Sequence, residues 1–191
     1  MGKFDNKVVI VTGAGQGAGK QLAIRFYREG ASVCLLDLNG DNLAAVADEV
    51  KPDEGRFLTY TVDVSDSAQV NQAIKDIGTR FGKIDILINN AVTAEPGTPF
   101  MEQSEEYLTS IFESGFLSTW RLMKLCFPYL KESKGRIVNF GSSSGIKGTL
   151  GYSAYGAMKE AIRGLSRTVA NEWGEYGITC NVLCPTAIGE R

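Results

Sequence analysis

The chain of 191 residues contains no histidine. Every mechanism that needs an imidazole as base, acid or metal ligand is excluded, a Ser-His-Asp triad among them. Cysteine is scarce. Cys34, Cys126, Cys180 and Cys184 form no CxxC pair and no zinc-type spacing, so buried free thiols and no metal site are expected. Neither sign of charge prevails: 20 Lys and Arg stand against 22 Asp and Glu, without the basic excess of a nucleic-acid binder. No uninterrupted apolar run approaches the about 18 residues of a membrane span. The opening Met1-Gly2-Lys3-Phe4-Asp5-Asn6-Lys7 lacks the apolar stretch of a signal peptide, and Asn6 fails the myristoylation pattern. A cytoplasmic protein that binds neither nucleic acid nor membrane is the expectation.

What is present is ordered. Short runs rich in Val and Ile (Val8–Val11, Ser32–Leu36, Arg56–Val62, Ile84–Ile88, Arg136–Phe140, Thr179–Leu183) predict strands, with too little polar alternation for a wet face. Between them, amphipathic segments predict helices near Gly17–Glu29, Asn39–Val50, Ala68–Phe81, Ser104–Lys131 and Ser153–Glu175. Gly30, Gly82 and Gly177 read as helix stops, and Ser104-Glu105-Glu106 as a cap followed by acids. Strict alternation of strand and helix implies parallel strands joined by right-handed crossovers. The fold class is therefore α/β, a three-layer α/β/α sandwich on a doubly wound parallel sheet. No linker divides the chain, and Ala94–Pro99 reads as an internal loop, so residues 1–191 are expected to form one domain.

Directly after the first strand comes Thr12-Gly13-Ala14-Gly15-Gln16-Gly17-Ala18-Gly19, leading into a helix. Gly13, Gly15 and Ala18 satisfy the dinucleotide pattern GxGxxG/A. Glycines permit the tight turn and let backbone approach a pyrophosphate, while the helix N-terminus offers open N–H groups and a positive dipole end. Asp37 ends the next strand, where its carboxylate suits the ribose hydroxyls of an adenosine and repels a 2′-phosphate. Neither Gln16 nor Leu38 brings a compensating positive charge, so NAD(H) is the expected cofactor rather than NADP(H). Gly13, Gln16, Gly17, Ala18, Asp37 and Leu38 are its first candidate ligands. A Walker A loop is excluded, because Ala14 and Gln21 stand where Gly and Ser or Thr are required. With this turn the sheet is of Rossmann type, with strand order 3-2-1-4-5-6.

Without histidine, a proton near neutral pH needs another carrier. Tyr155 and Lys159 are four residues apart on the last helix and share a face. An ammonium beside a phenol favours the phenolate, so the lysine is expected to draw the tyrosine's pKa down.

Thr12-Gly13 with Gly17 and Gly19, Asp63 after the third strand, Asn89-Asn90-Ala91 after the fourth, Ser142, Tyr155-x-x-x-Lys159, and Asn181 with Pro185 together resemble the classical short-chain dehydrogenase/reductase family, over essentially the whole chain. The resemblance implies an NAD(H)-dependent oxidoreductase that interconverts a secondary alcohol and a ketone by hydride transfer. It implies Tyr155 as general acid/base, Lys159 as the group that lowers its pKa and holds the nicotinamide ribose, and Ser142 as the hydroxyl bonded to the reacting oxygen. It places Asp63 and Val64 at the adenine, Asn90 and Ala91 along the cofactor, and Pro185, Thr186 and Ile188 over the nicotinamide. It also implies a homodimer or homotetramer, built on the helices at Ser104–Lys131 and Ser153–Glu175. Substrate choice is expected to lie at Ser144, Tyr152 and the Ala94–Met101 loop.

Four departures stand out. Aligned on Gly115, Phe112 occupies the place of a family asparagine that holds a water-linked proton relay, and an aromatic there is not expected to accept the helix kink. Val92, Thr186 and Glu190 replace a usual Gly, Gly and Thr. These changes leave a second reading open, an NAD(H)-binding relative with weak or no turnover that acts in regulation. The family continues beyond its sixth strand into a substrate lobe and seventh strand, so Arg191 is expected to mark the edge of the solved part of a longer protein.

Overall fold

Val8 to Val11 are β-branched throughout, the composition that suits a strand packed on both sides. They form β1 (Val8–Thr12), every residue of which is buried. The computed structural model describes residues 2–52, 55–95 and 97–185. β1 is flanked by β2 (Ser32–Asp37) and β4 (Ile86–Asn89), with Val9 opposite both Val33 and Ile86. β3 (Phe57–Thr61), β5 (Arg136–Phe140) and β6 (Thr179–Leu183) complete a sheet in the order β3-β2-β1-β4-β5-β6, all pairs parallel. The expected topology is the observed one.

Period-2 alternation along β1 feeds two cores. Val9 and Val11 pack with Ile24 and Tyr27 of α1 (Gly17–Arg28) and with Leu43 and Val46 of α2 (Gly40–Val50). Val8 and Ile10 point the other way, into a core shared with Val70 and Ile77 of α3 (Ser67–Phe81). That second core also holds Leu122, Cys126 and Leu130 of α5 (Ser118–Ser133) and Val169 of α7 (Ser153–Trp173). The short α4 (Glu105–Ile111) opens as expected, with Ser104 Oγ accepting from Tyr107 N at 3.1 Å.

Several expectations need correction. β3 and β6 are not covered on both faces: Thr59 and Thr61, and Thr179, Asn181 and Leu183, are exposed. They are the outer strands among the described residues, and the helices centre on the inner ones. The long helix expected over Ser104–Lys131 is two helices, α4 and α5, joined by a π turn at Phe112–Leu117. An aromatic at position 112 therefore does accept the distortion, because the backbone takes one extra residue into the turn. A short helix, α6 (Ser143–Lys147), which the periodicity does not predict, follows β5. Cys34, Cys126 and Cys180 are buried free thiols, but Cys184 is only partly buried, since it lies just past the exposed margin of β6.

Candidate active site

The glycine turn is built by close approach. Gly13 adopts φ +63°, and a Cβ there would stand 2.8 Å from the Asn90 side-chain nitrogen. A Cβ on Gly19 would meet the Gly13 carbonyl oxygen at 2.1 Å, so α1 can start this near β1 only with a bare backbone. The Asn90 amide fastens the arrangement, donating to the carbonyls of Thr12 and Gly13 at 3.0 Å each. Thr12 Oγ1 answers by accepting from the backbone of Asn90 and Ala91. Gly17 differs from the others: at φ +55° nothing lies within 4 Å of where its Cβ would be. Gln16, the N-cap of α1, makes no side-chain bond to the first turn, which leaves those N–H groups open as an anion site.

Asp37 is held by the same turn. Its Oδ2 accepts from Gly15 N at 2.8 Å and its Oδ1 from Asn39 N at 2.9 Å. Gly15 is therefore a contact to the acid; its absent Cβ would fall 3.0 Å from Asp37 Cγ. One cavity of about 610 Å³ gathers Gly13, Gln16, Gly17, Ala18, Asp37, Leu38, Asp63, Val64, Asn90 and Ala91. Among the described residues, no Lys or Arg lines it. Asp63 is anchored by the backbone and hydroxyl of Ser65, at 2.8 and 2.6 Å. These residues fit an adenine dinucleotide: bare backbone and open helix N–H groups for its phosphates, and the Asp37 carboxylate for its ribose hydroxyls.

Tyr155, Lys159 and Ser142 are not among the residues that line that cavity. Val92 lines the cavity and also packs in the apolar cluster of Ile111, Met158 and Ile162 that holds Tyr155. On α7 the Lys159 ammonium lies 5.5 Å from the centroid of the Tyr155 ring. Lys159 is buried and donates to the Phe140 carbonyl at 2.7 Å; burial lowers its pKa from 10.5 to about 8. The expected depression of Tyr155 is not found. Burial pushes the phenol above its usual 10, and the nearby Ser142 hydroxyl pulls the other way. Ser142 also does plain turn work, its Oγ accepting from Ser144 N at 3.1 Å to cap α6.

Pro185 is exposed at the end of the described chain; Thr186, Ile188 and Glu190 lie outside the described residues. The cavity includes residues that motif reading missed, among them Asn39, Asn42, Thr93 and Ser114. Ser114 is the buried polar group that the π turn presents to the end of β4. Its Oγ accepts from Thr93 N at 3.3 Å and donates to the Ser110 carbonyl at 3.0 Å. Position 112 does not serve there: Phe112 packs with Phe116 against the start of α7.

The model of the short chain dehydrogenase family matches residues 7–189. The chain is 39% identical to the 12alpha-hydroxysteroid dehydrogenase of a Clostridium species, over 98% of this chain and 75% of that protein. It is 36% identical to the meso-2,3-butanediol dehydrogenase of Serratia marcescens, over 97% and 73% of the two chains. A solved NAD+-bound xylitol dehydrogenase superposes with a TM-score of 0.90 at 31% identity, over 96% of this chain and 71% of that one. With a family model over residues 7–189 and relatives this similar over most of their length, the chain belongs to the short chain dehydrogenase family.

Proposed function

We propose that this protein interconverts a secondary alcohol and a ketone with NAD(H), with Tyr155 as the proton carrier. It is an NAD-dependent oxidoreductase acting on CH–OH groups, in keeping with its similarity to steroid, butanediol and xylitol dehydrogenases. NAD, when bound, takes up or supplies the hydride at its nicotinamide ring. The single observation that carries the site assignment is the meeting of three side chains, a phenol whose proton affinity the Ser142 hydroxyl lowers, with the Lys159 ammonium 5.5 Å from its ring.

The raised pKa keeps the Tyr155 phenol protonated near neutral pH, which suits donation to a carbonyl oxygen in ketone reduction. Ser142 Oγ orients that oxygen. Lys159, fixed by the Phe140 carbonyl, places a positive charge where a phenolate forms when Tyr155 gives up its proton. Gly13, Gln16, Gly17 and Ala18 hold the cofactor phosphates, Asp37 with Leu38 the adenosine ribose, Asp63 and Val64 the adenine, and Asn90 and Ala91 the span between. Pro185, Thr186 and Ile188 complete the set at the nicotinamide. Substrate choice falls to Ser144, Tyr152 and the loop from Ala94 to Met101.

A homodimer or homotetramer fits Trp120 and Leu108, large apolar side chains left 41% and 43% exposed on α5 and α4. Among the described residues no helix is long and apolar enough to cross a membrane. A cytoplasmic location fits four free thiols. The test is NADH oxidation with a panel of ketones, beside NADH binding by fluorescence. Tyr155→Phe is expected to lower turnover by about 10²-fold or more with NADH affinity unchanged. A Tyr155→Phe variant as fast as wild type refutes the assignment.

A further inference from the structure

α7, the helix that carries Tyr155 and Lys159, begins without a cap of its own: Tyr152 stands at its N-cap and makes no side-chain bond to the first turn. The acceptor comes from another segment. Gln103 Oε1 accepts from Ala154 N at 3.2 Å and from the Ser153 hydroxyl at 2.7 Å. Gln103 Nε2 donates to the carbonyls of Thr98 and Gly151, at 2.7 and 3.0 Å. Both amide hydrogens and both oxygen lone pairs are engaged, the full capacity of a glutamine side chain.

The partners of Nε2 belong to two loops that are themselves joined. Thr98 N donates to the Gly151 carbonyl at 3.0 Å. Gly97 lies so close to the Tyr152 ring that a Cβ there would meet it at 2.8 Å, and the Tyr152 ring in turn stands edge-on to Tyr155 at 6.1 Å between centroids. Upstream, the same loop runs from Val92, Thr93 and Ala94 at the rim of the dinucleotide cavity.

We propose that Gln103 is a positioning residue that ties the first turn of the Tyr155 helix to the loop beside the substrate cleft. The proposal rests on the reading of Tyr155 as proton carrier. An ordinary N-cap would steady α7 alone. Here the capping oxygen belongs to a side chain whose nitrogen is gripped by Thr98 and Gly151, so a shift of that loop withdraws the cap from Ala154, the residue before Tyr155. Cleft wall and proton donor therefore keep one geometry, and misplacement by about 1 Å at such a centre costs about 10²-fold in rate.

Two variants separate the two halves of the tie. Gln103→Ala removes all four hydrogen bonds. Gln103→Glu keeps the acceptor for Ser153 and Ala154, while its second oxygen faces and repels the Thr98 and Gly151 carbonyls and so frees the loop. In the full chain, NADH oxidation is followed with whichever of 2,3-butanedione, cyclohexanone or a 12-oxo steroid the wild type reduces fastest. Gln103→Ala is expected to lower kcat about tenfold or more and to speed amide exchange over residues 154–157 about tenfold, with NADH affinity unchanged. Gln103→Glu is expected to keep kcat and amide protection near those of the wild type while raising KM severalfold. Wild-type kcat and exchange in Gln103→Ala overturn the proposal. Should Gln103→Ala not fold, Gln103→Glu decides: a raised KM with near-normal kcat supports the tie, an unchanged KM overturns it. A wild type that reduces none of the ketones refutes the proposed function instead. Exchange over 154–157 then judges the tie alone, faster exchange in Gln103→Ala supporting it and unchanged exchange overturning it.

Discussion

Replacing Lys159 with methionine should make the protein more stable near neutral pH while removing its activity. Lys159 is 3% exposed, and burial lowers its pKa from 10.5 to about 8, with Cys184 drawing it partly back up. At about 1.4 kcal/mol for each tenfold change in proton affinity, the charged form costs the folded state about 3 kcal/mol. Because the unfolded chain keeps this proton to a higher pH than the folded one, the cost is complete below about pH 8. It fades as the pH rises towards 10.5, so wild-type stability increases across that window. Lys159→Met escapes the cost at every pH but leaves the buried Phe140 carbonyl without its donor, a loss of about 1–2 kcal/mol. The variant is therefore expected to be more stable than wild type by about 1 kcal/mol near neutral pH, and less stable by about 2 kcal/mol once the wild-type amine is neutral. Urea unfolding of both proteins at matched pH measures the difference, and groups common to both cancel. A difference that stays flat between neutral pH and about pH 10 refutes the burial argument.

Asp37→Ser should weaken NADH binding about tenfold or more and narrow the preference over NADPH, read by fluorescence titration with both nucleotides; an unchanged ratio would remove Asp37 from the ribose. Asp85, 5% exposed, accepts from Val8 N and Lys7 Nζ at 2.9 Å each and lies 3.5 Å from Lys83, binding β1 to the base of β4. Asp85→Ala should cost about 2–3 kcal/mol in urea unfolding, because the strand N–H is left buried and unpaired. Gly19→Ala and Gly17→Ala should part company. The first drives a methyl into the Gly13 carbonyl and should destabilise by about 2 kcal/mol or more. The second meets no atom and should cost only about 1 kcal/mol through its positive φ, yet lose NADH affinity because the methyl fills phosphate space. Thermal melts and NADH titration of the pair test both statements.

Sheet order and the gathering of the glycine-turn residues around one cavity could be read in advance because both depend on signals carried by short stretches of sequence. Val8–Val11 followed by the glycine turn dictates a buried strand and an open helix start wherever the rest of the chain goes. Asp37 was identifiable from its place at a strand end, but its bond to Gly15 was not, since it joins residues 22 apart across two strands. Ser114 was missed for a different reason. Helical periodicity presumes one phase along Ser104–Lys131, and the π turn breaks that phase where Ser114 meets Thr93. Tyr155 with Lys159 was visible as an i, i+4 pair, whereas the direction of the tyrosine's pKa was not, because burial by Ile111, Met158 and their neighbours outweighs the opposing pull of Ser142. The exposed alternation of β6 depends on what covers a sheet margin, which composition does not record.

The π turn at Phe112–Leu117 has a consequence for how this helix tolerates change. One surplus residue rotates everything after it by about 100° relative to everything before. Upstream, Ile111 faces the start of α7; downstream, Leu122, Cys126 and Leu130 face the sheet. Excising a single residue between Phe112 and Leu117 would heal the coil into an unbroken α-helix and, in doing so, point one of these two stripes into water. The irregularity works as a gear between two surfaces, and straightening it would disengage one of them.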